Sequence, residues 1–197
     1  MKRYVKLKRE VIGILNNKLP KDLYYHGVHH TLDALDVCEI YLIEEKVKEE
    51  DAYFLRIGIL MHDIGFTVSI ENHEVRGVEM AEKLMSKHNF SPNEIGVVKE
   101  LILATRVPQN PKTHLEKIIC DVDLDYLGRS DYYTISDQLY KELFAYNNIE
   151  SKTEWNKVQI KFLERHKYHT DFAKKNRQPQ KEMRIEELKE LVRNKEF

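Results

Sequence analysis

Leu55-Arg56-Ile57-Gly58-Ile59-Leu60-Met61-His62-Asp63 is an almost unbroken apolar run that closes on an imidazole and a carboxylate. Its length and the Gly65 just beyond it predict a helix over about 51–63 that is largely buried. Two strong ligands at the end of such a run are costly to bury unless something binds them. A metal ion is the simplest occupant. Neighbouring residues point about 100° apart around a helix, so His62 and Asp63 can meet one ion only where a helix ends at a groove.

Two further stretches repeat this arrangement. His26-Gly27-Val28-His29-His30-Thr31 opens a helical pattern, and Asp121, Asp123 and Asp125 follow the apolar Ile118-Ile119-Cys120. His26 and His30 are four apart, one turn and roughly 6 Å on a helix, although Gly27 is a poor residue for a helix interior. His29 is expected to face outward. Imidazole and carboxylate donors suit Mn, Fe, Co, Ni, Zn or Mg rather than Ca, and the lack of a thiolate cluster argues against structural zinc. A divalent metal ion is therefore the expected cofactor, its identity open.

Around this constellation nearly every segment has helical period. Val5, Ile12 and Leu15 mark a first helix that should stop near Pro20, and Leu32, Leu35, Val37, Cys38, Tyr41 and Leu42 mark a second. A helix over about 71–88 precedes Ser91-Pro92-Asn93-Glu94, a capping-box start with proline at the first helical position. Another is expected over about 114–127, ending at Gly128, with more near 134–147, 153–168 and 180–195. Seven Gly and five Pro in 197 residues argue against a turn-rich β fold. The expectation is one all-α domain spanning 1–197, its metal-site core at about 22–128 and a tail from 170 that packs loosely.

Composition narrows the partners. The formal net charge is −1, so no global field draws the chain to nucleic acid or a membrane. No run of roughly 18 apolar residues and no N-terminal apolar segment is present, so neither spanning nor secretion is expected. Cys38 and Cys120 make no C-x-x-C motif, which fits a reducing cytoplasm. Residues 157–184 carry nine Lys/Arg against three acids, read as a solvated helix face or as a surface attracting an anionic substrate. Self-association into a homo-oligomer is left open.

Tyr25-His26-x-x-x-His30-Thr31, Met61-His62-Asp63-Ile64-Gly65 and Cys120-Asp121-Val122-Asp123-Leu124 together resemble the HD-domain superfamily of metal-dependent phosphohydrolases. The resemblance implies a helical bundle in which His30, His62, Asp63 and one further aspartate hold the metal. Asp123 fits the apolar lead-in, and Asp121 is the alternative; Asp125 is expected to cap or support. His26 resembles the histidine that protonates the leaving oxygen in cyclic-nucleotide phosphodiesterase-like members, although the asparagine common after it is Gly27 here. By the same resemblance Glu74 would orient a ligand histidine, and His73 would contact phosphate or a second ion. Arg76 is a phosphate clamp by its chemistry. Arg106 is expected to be solvated, and Trp155, Gln159, Phe162 and His166 to pack in a core.

The function expected is hydrolysis of a phosphoester in a nucleotide or similar small phosphorylated substrate, by attack of metal-bound hydroxide. A phosphodiesterase is one form of this. The alternatives are an HD-type di-iron oxygenase, which would draw on His73, and a non-catalytic metal-binding signalling or interaction module.

Overall fold

A computed structural model of the chain describes residues 2–194, and these contain ten α-helices and no strand. The helices group into two compact units, the first ending at Asp123 and the second beginning at Leu124. None of the described helices is long and apolar enough to cross a membrane.

The first unit holds α1 (Lys2–Lys18), α2 (Val28–Glu44), α3 (Glu49–Met61), α4 (His73–Lys87), α5 (Pro92–Ala104) and α6 (His114–Asp123). Its centre is α3, where Leu55, Ile57, Ile59, Leu60 and Met61 are fully buried. From Ile57 to Met61 the helix is apolar and buried on every side, so this part of it can only sit inside others. Gly58 brings them close: a Cβ there would lie 3.1 Å from the Leu101 side chain of α5 and from Ile119 Cδ1 of α6. By contrast, α1 buries only Leu7, Val11 and Leu15, one stripe at i, i+4, i+8.

The ends of these helices follow local chemistry. Ser91 Oγ accepts from Glu94 N at 3.3 Å while Glu94 Oε2 accepts from Ser91 N at 2.7 Å, which completes the expected capping box of α5. Arg3 of α1 donates to both Glu94 oxygens, at 2.7 and 3.1 Å, tying α1 to the start of α5. Gly27 caps α2 in extended backbone (φ −85°, ψ 174°), so His26 precedes the helix and His30 lies inside its first turn.

The second unit holds α7 (Tyr132–Ala145), α8 (Lys152–Arg165), α9 (Asp171–Asn176) and α10 (Gln178–Arg193). The helix expected over 114–127 is shorter than that. It stops at Asp123, Leu124 leaves helical backbone (φ −106°, ψ 19°), and Asp125–Gly128 forms a separate 3₁₀ turn. Three aspartates in five residues are poor helix formers, and Gly128 ends the turn rather than the helix. Asp125 accepts from Arg177 Nε at 2.7 Å, so it joins elements of this unit. The short α9 has no counterpart in the expected set; Thr170 caps it by accepting from Ala173 N at 3.2 Å. The tail from 170 is not loose within its unit, since α10 packs along α8 and buries Lys181, Ile185 and Leu188. The expected limit of α10 near residue 195 lies outside the described residues.

Candidate metal centre

Four side chains from three helix ends converge in the first unit. His30 Nε2 lies 3.1 Å from His62 Nε2 and 3.2 Å from Asp123 Oδ1. His62 Nε2 lies 3.4 Å from Asp123 Oδ1 and 3.1 Å from Asp63 Oδ2, which is 3.5 Å from His30 Nε2. Ligands held about 2.1 Å from one ion at right angles stand ~3.0 Å from each other, and somewhat farther at tetrahedral angles. The observed separations match that spacing, and the donor atoms of His30, His62 and Asp123 all fall within 4.8 Å of one another.

The end of α3 explains how two neighbouring residues reach one point. His62 keeps helical backbone (φ −58°, ψ −38°) as the C-cap, whereas Asp63 turns out of it (φ −101°, ψ 4°) into a 3₁₀ turn over Ile64–Thr67. Gly65 in that turn is required by the close passage of α4. A Cβ at Gly65 would collide with the His73 carbonyl oxygen and come within 2.7 Å of Gly77 N. Any side chain at 65 would push the start of α4 away from Asp63.

Tautomer and charge agree with a cation site. The last carbonyls of a helix have no partner within it, and Ile59 O uses this freedom to accept from His62 Nδ1 at 2.7 Å. With Nδ1 as donor, Nε2 of a neutral ring presents a lone pair to two carboxylates. Burial opposes charge on His62, but Asp63 and Asp123 outweigh it and raise its pKa well above the ordinary histidine value. Burial likewise pushes both carboxyls up, yet His62 and its neighbours hold Asp63 well below the carboxylate range, and His30 with His62 brings Asp123 to about 2. The pocket thus stabilises positive charge, whether a proton or a metal cation supplies it. Asp63 Oδ2 is fully buried and accepts no hydrogen bond from the described residues, an expensive state unless a cation faces it.

The remaining predicted residues divide around this cluster. His73 stands on its other side, Nε2 3.9 Å from Asp63 Oδ1 and 3.6 Å from Glu74 Oε1. Burial pushes the His73 pKa down. Glu74 is buried beside His73, while the Nδ1 of His62 goes to Ile59 O instead. His26 is half-buried next to the cluster, its ring centroid 6.2 Å from that of His30. Asp121 is fully buried and is not among the clustered donors; its backbone carbonyl accepts from Tyr41 OH at 3.5 Å. Arg76 is half-exposed on α4 and pairs with Glu79 at 3.1 Å. His29 faces outward as expected, and Arg106 is exposed.

The HD-domain family model matches residues 27–125 of the chain, just over half of it. The chain belongs to the HD-domain family. Members of this family are mostly metal-dependent hydrolases, and all four clustered residues fall inside the matched segment while His26 stands immediately ahead of it. Neither the curated proteins nor the solved structures returned a match.

Two neighbours of this HD site escaped the sequence reading: the Ile59 carbonyl and Phe66. Ile59 was within reach, since a histidine just past a helix end stands three residues from a free carbonyl. Phe66 carried no periodic signal, because it lies in a 3₁₀ turn rather than on a helix face.

Proposed function

We propose that this HD-domain protein is a metal-dependent phosphohydrolase whose substrate is a small phosphorylated molecule such as a nucleotide, phosphodiesters included. His30, His62, Asp63 and Asp123 are the residues that would hold the ion. A divalent ion held there would acidify bound water from about 15.7 toward roughly 7 and polarise a phosphoryl oxygen. The single observation that carries this reading is the orphaned Asp63 Oδ2, buried and aimed at two imidazole nitrogens.

In this reading water adds to phosphorus as the bond to the leaving oxygen breaks. His26 gives that oxygen its proton, so the products are an alcohol and a phosphate with one more hydroxyl. His73, on the Oδ1 side of Asp63, would contact the phosphate, and Glu74, 3.6 Å from its Nε2, would orient His73 rather than a ligand of the first ion. Asp121 stands apart from the ligand set, and Arg76 has no part in the clamp while it pairs with Glu79.

The test is turnover of a panel of phosphomonoesters, phosphodiesters and nucleoside phosphates by protein loaded with Mn²⁺, Mg²⁺, Co²⁺ or Ni²⁺. Phosphate release that depends on the metal and disappears in His62→Ala supports the reading. Oxygen uptake with bound iron would move it to the oxygenase, and metal binding without turnover to a non-catalytic module.

A further inference from the structure

Resting on the reading of His26 as proton donor, the structure points to a residue that aims it. His26 lies one residue ahead of the α2 cap, outside the helix that holds His30. Its imidazole is packed by two aromatic rings instead. Tyr25 meets it at a centroid distance of 4.6 Å with the planes at 84°, and Phe66 at 4.4 Å and 30°. Both aromatic residues are buried, with 4% of their surface exposed. Phe66 also stacks on His73 at 3.8 Å and 18°, while Tyr25 lies 4.7 Å from the ring of His30.

Phe66 is itself held to the metal cluster. Its N–H donates to the Asp63 carbonyl at 3.1 Å within the 3₁₀ turn. Thr67 Oγ1 donates to Ile64 O at 2.7 Å and so stiffens the same turn. The ring that touches His26 is thus one short turn from a metal-site carboxylate. An aromatic contact of this kind biases one ring orientation by roughly two- to tenfold. A proton donor must come within about 2.6–3.2 Å of its acceptor, and a 1 Å error costs on the order of 100-fold.

We propose that Phe66 is a positioning residue: with Tyr25, it fixes the His26 imidazole over the phosphorus site so that its N–H reaches the leaving oxygen. Phe66 touches neither metal nor substrate in this scheme. Its effect through His26 is confined to steps that need a proton on the leaving group, whereas its stacking on His73 acts on both kinds of leaving group alike. Expulsion of an alcohol needs that proton; expulsion of p-nitrophenolate does not.

The experiment compares two diesters of thymidine 5′-phosphate, a methyl and a p-nitrophenyl ester, on Mn²⁺-loaded wild type, His26→Ala, Phe66→Leu, Phe66→Tyr and the His26→Ala/Phe66→Leu double variant. His26→Ala should lower kcat on the methyl ester by about 100-fold or more and on the p-nitrophenyl ester by under about tenfold. Phe66→Leu should show the same selective loss, up to about tenfold on the methyl ester relative to the p-nitrophenyl ester, with bound Mn²⁺ unchanged; any loss through His73 falls on both esters alike. Phe66→Tyr, which keeps the ring, should restore most of it, and the double variant should discriminate between the esters no more than His26→Ala alone. In parallel, the His26 ring protons, assigned by their loss in His26→Ala, should resonate upfield under the Phe66 ring and lose that shift in Phe66→Leu.

Equal loss on both esters in His26→Ala would remove the proton-donor reading itself. A selective His26→Ala with Phe66→Leu equal to wild type or slowed equally on both esters, or Phe66→Leu losing Mn²⁺, overturns the positioning role. If neither ester turns over, the resonance shift decides: an unmoved His26 signal in Phe66→Leu overturns it. Phe66→Met carries the same comparison if the leucine variant does not fold.

Discussion

In the second unit Tyr132, Ser136, Trp155, Asn156 and Gln159 bury their polar ends together. Gln159 Oε1 accepts from Tyr132 OH and Ser136 Oγ, Ser136 Oγ accepts from Trp155 Nε1, and Gln159 Nε2 donates to Asn156 Oδ1. In the first unit His30, His62 and Asp63 are buried as well, with Asp123 half-buried beside them, but their hydrogen bonds do not close on themselves. Donors and acceptors match in one cluster, so nothing need be added to it. In the other, two imidazole nitrogens face two carboxylate oxygens at 3.1–3.5 Å and one oxygen is left over. A buried polar group that satisfies itself supports a fold, and one that does not marks where something binds.

Removing a member of each cluster separates these roles most sharply. His62→Ala and Asp63→Ala should abolish metal retention and lower turnover by three orders of magnitude or more, with the fold retained by circular dichroism; normal metal content in either would erase the contrast. Less drastic is chelation. Stripping metal from wild type held at about 100 times its Kd should cost roughly 2.7 kcal/mol, a drop in Tm of roughly 5–10 °C. The same chelator should leave the Tm of Asp123→Ala where it was, and a matching drop in that variant would place the metal elsewhere.

Gln159→Leu inverts the pattern. It strands Tyr132, Ser136 and Asn156 and should destabilise by about 1–3 kcal/mol in denaturant titration, with metal content unchanged. The smallest effect belongs to the partly exposed Arg3–Glu94 pair at the start of α5. Arg3 and the capping hydrogen bonds hold Glu94 down at about 2, against 4.5 for a free glutamate. Its stabilisation is therefore complete above pH 4.5 and is lost as pH falls through about 2. Glu94→Gln should cost less than about 1 kcal/mol at pH 7, and the difference from wild type should vanish only below about pH 2.

How much of this was readable beforehand differs between the two regions for a physical reason. The chemistry of the first unit announced itself, because imidazoles and aspartates at the ends of apolar runs have few reasons to be there. Its helices followed from period and caps, as at Ser91 and Pro92. The lead-in favoured Asp123 but left Asp121 open, since both aspartates follow the same apolar run; in the fold Asp123 Oδ1 lies beside the two histidines and Asp121 is not among the clustered donors. Of the residues expected to pack in a core, Trp155 and Gln159 are buried while Phe162 and His166 are half-buried, and the pairing of Gln159 with Tyr132 and Ser136 joins different helices. Spacing within one helix cannot show it.

The most direct measurement is the metal content of wild type, His62→Ala, Asp123→Asn and Asp121→Asn after equilibration with Mn²⁺ and gel filtration. The account predicts bound metal in wild type and Asp121→Asn and none in the other two. Metal retained by Asp123→Asn and lost from Asp121→Asn, or no metal in wild type under any divalent ion, would contradict it.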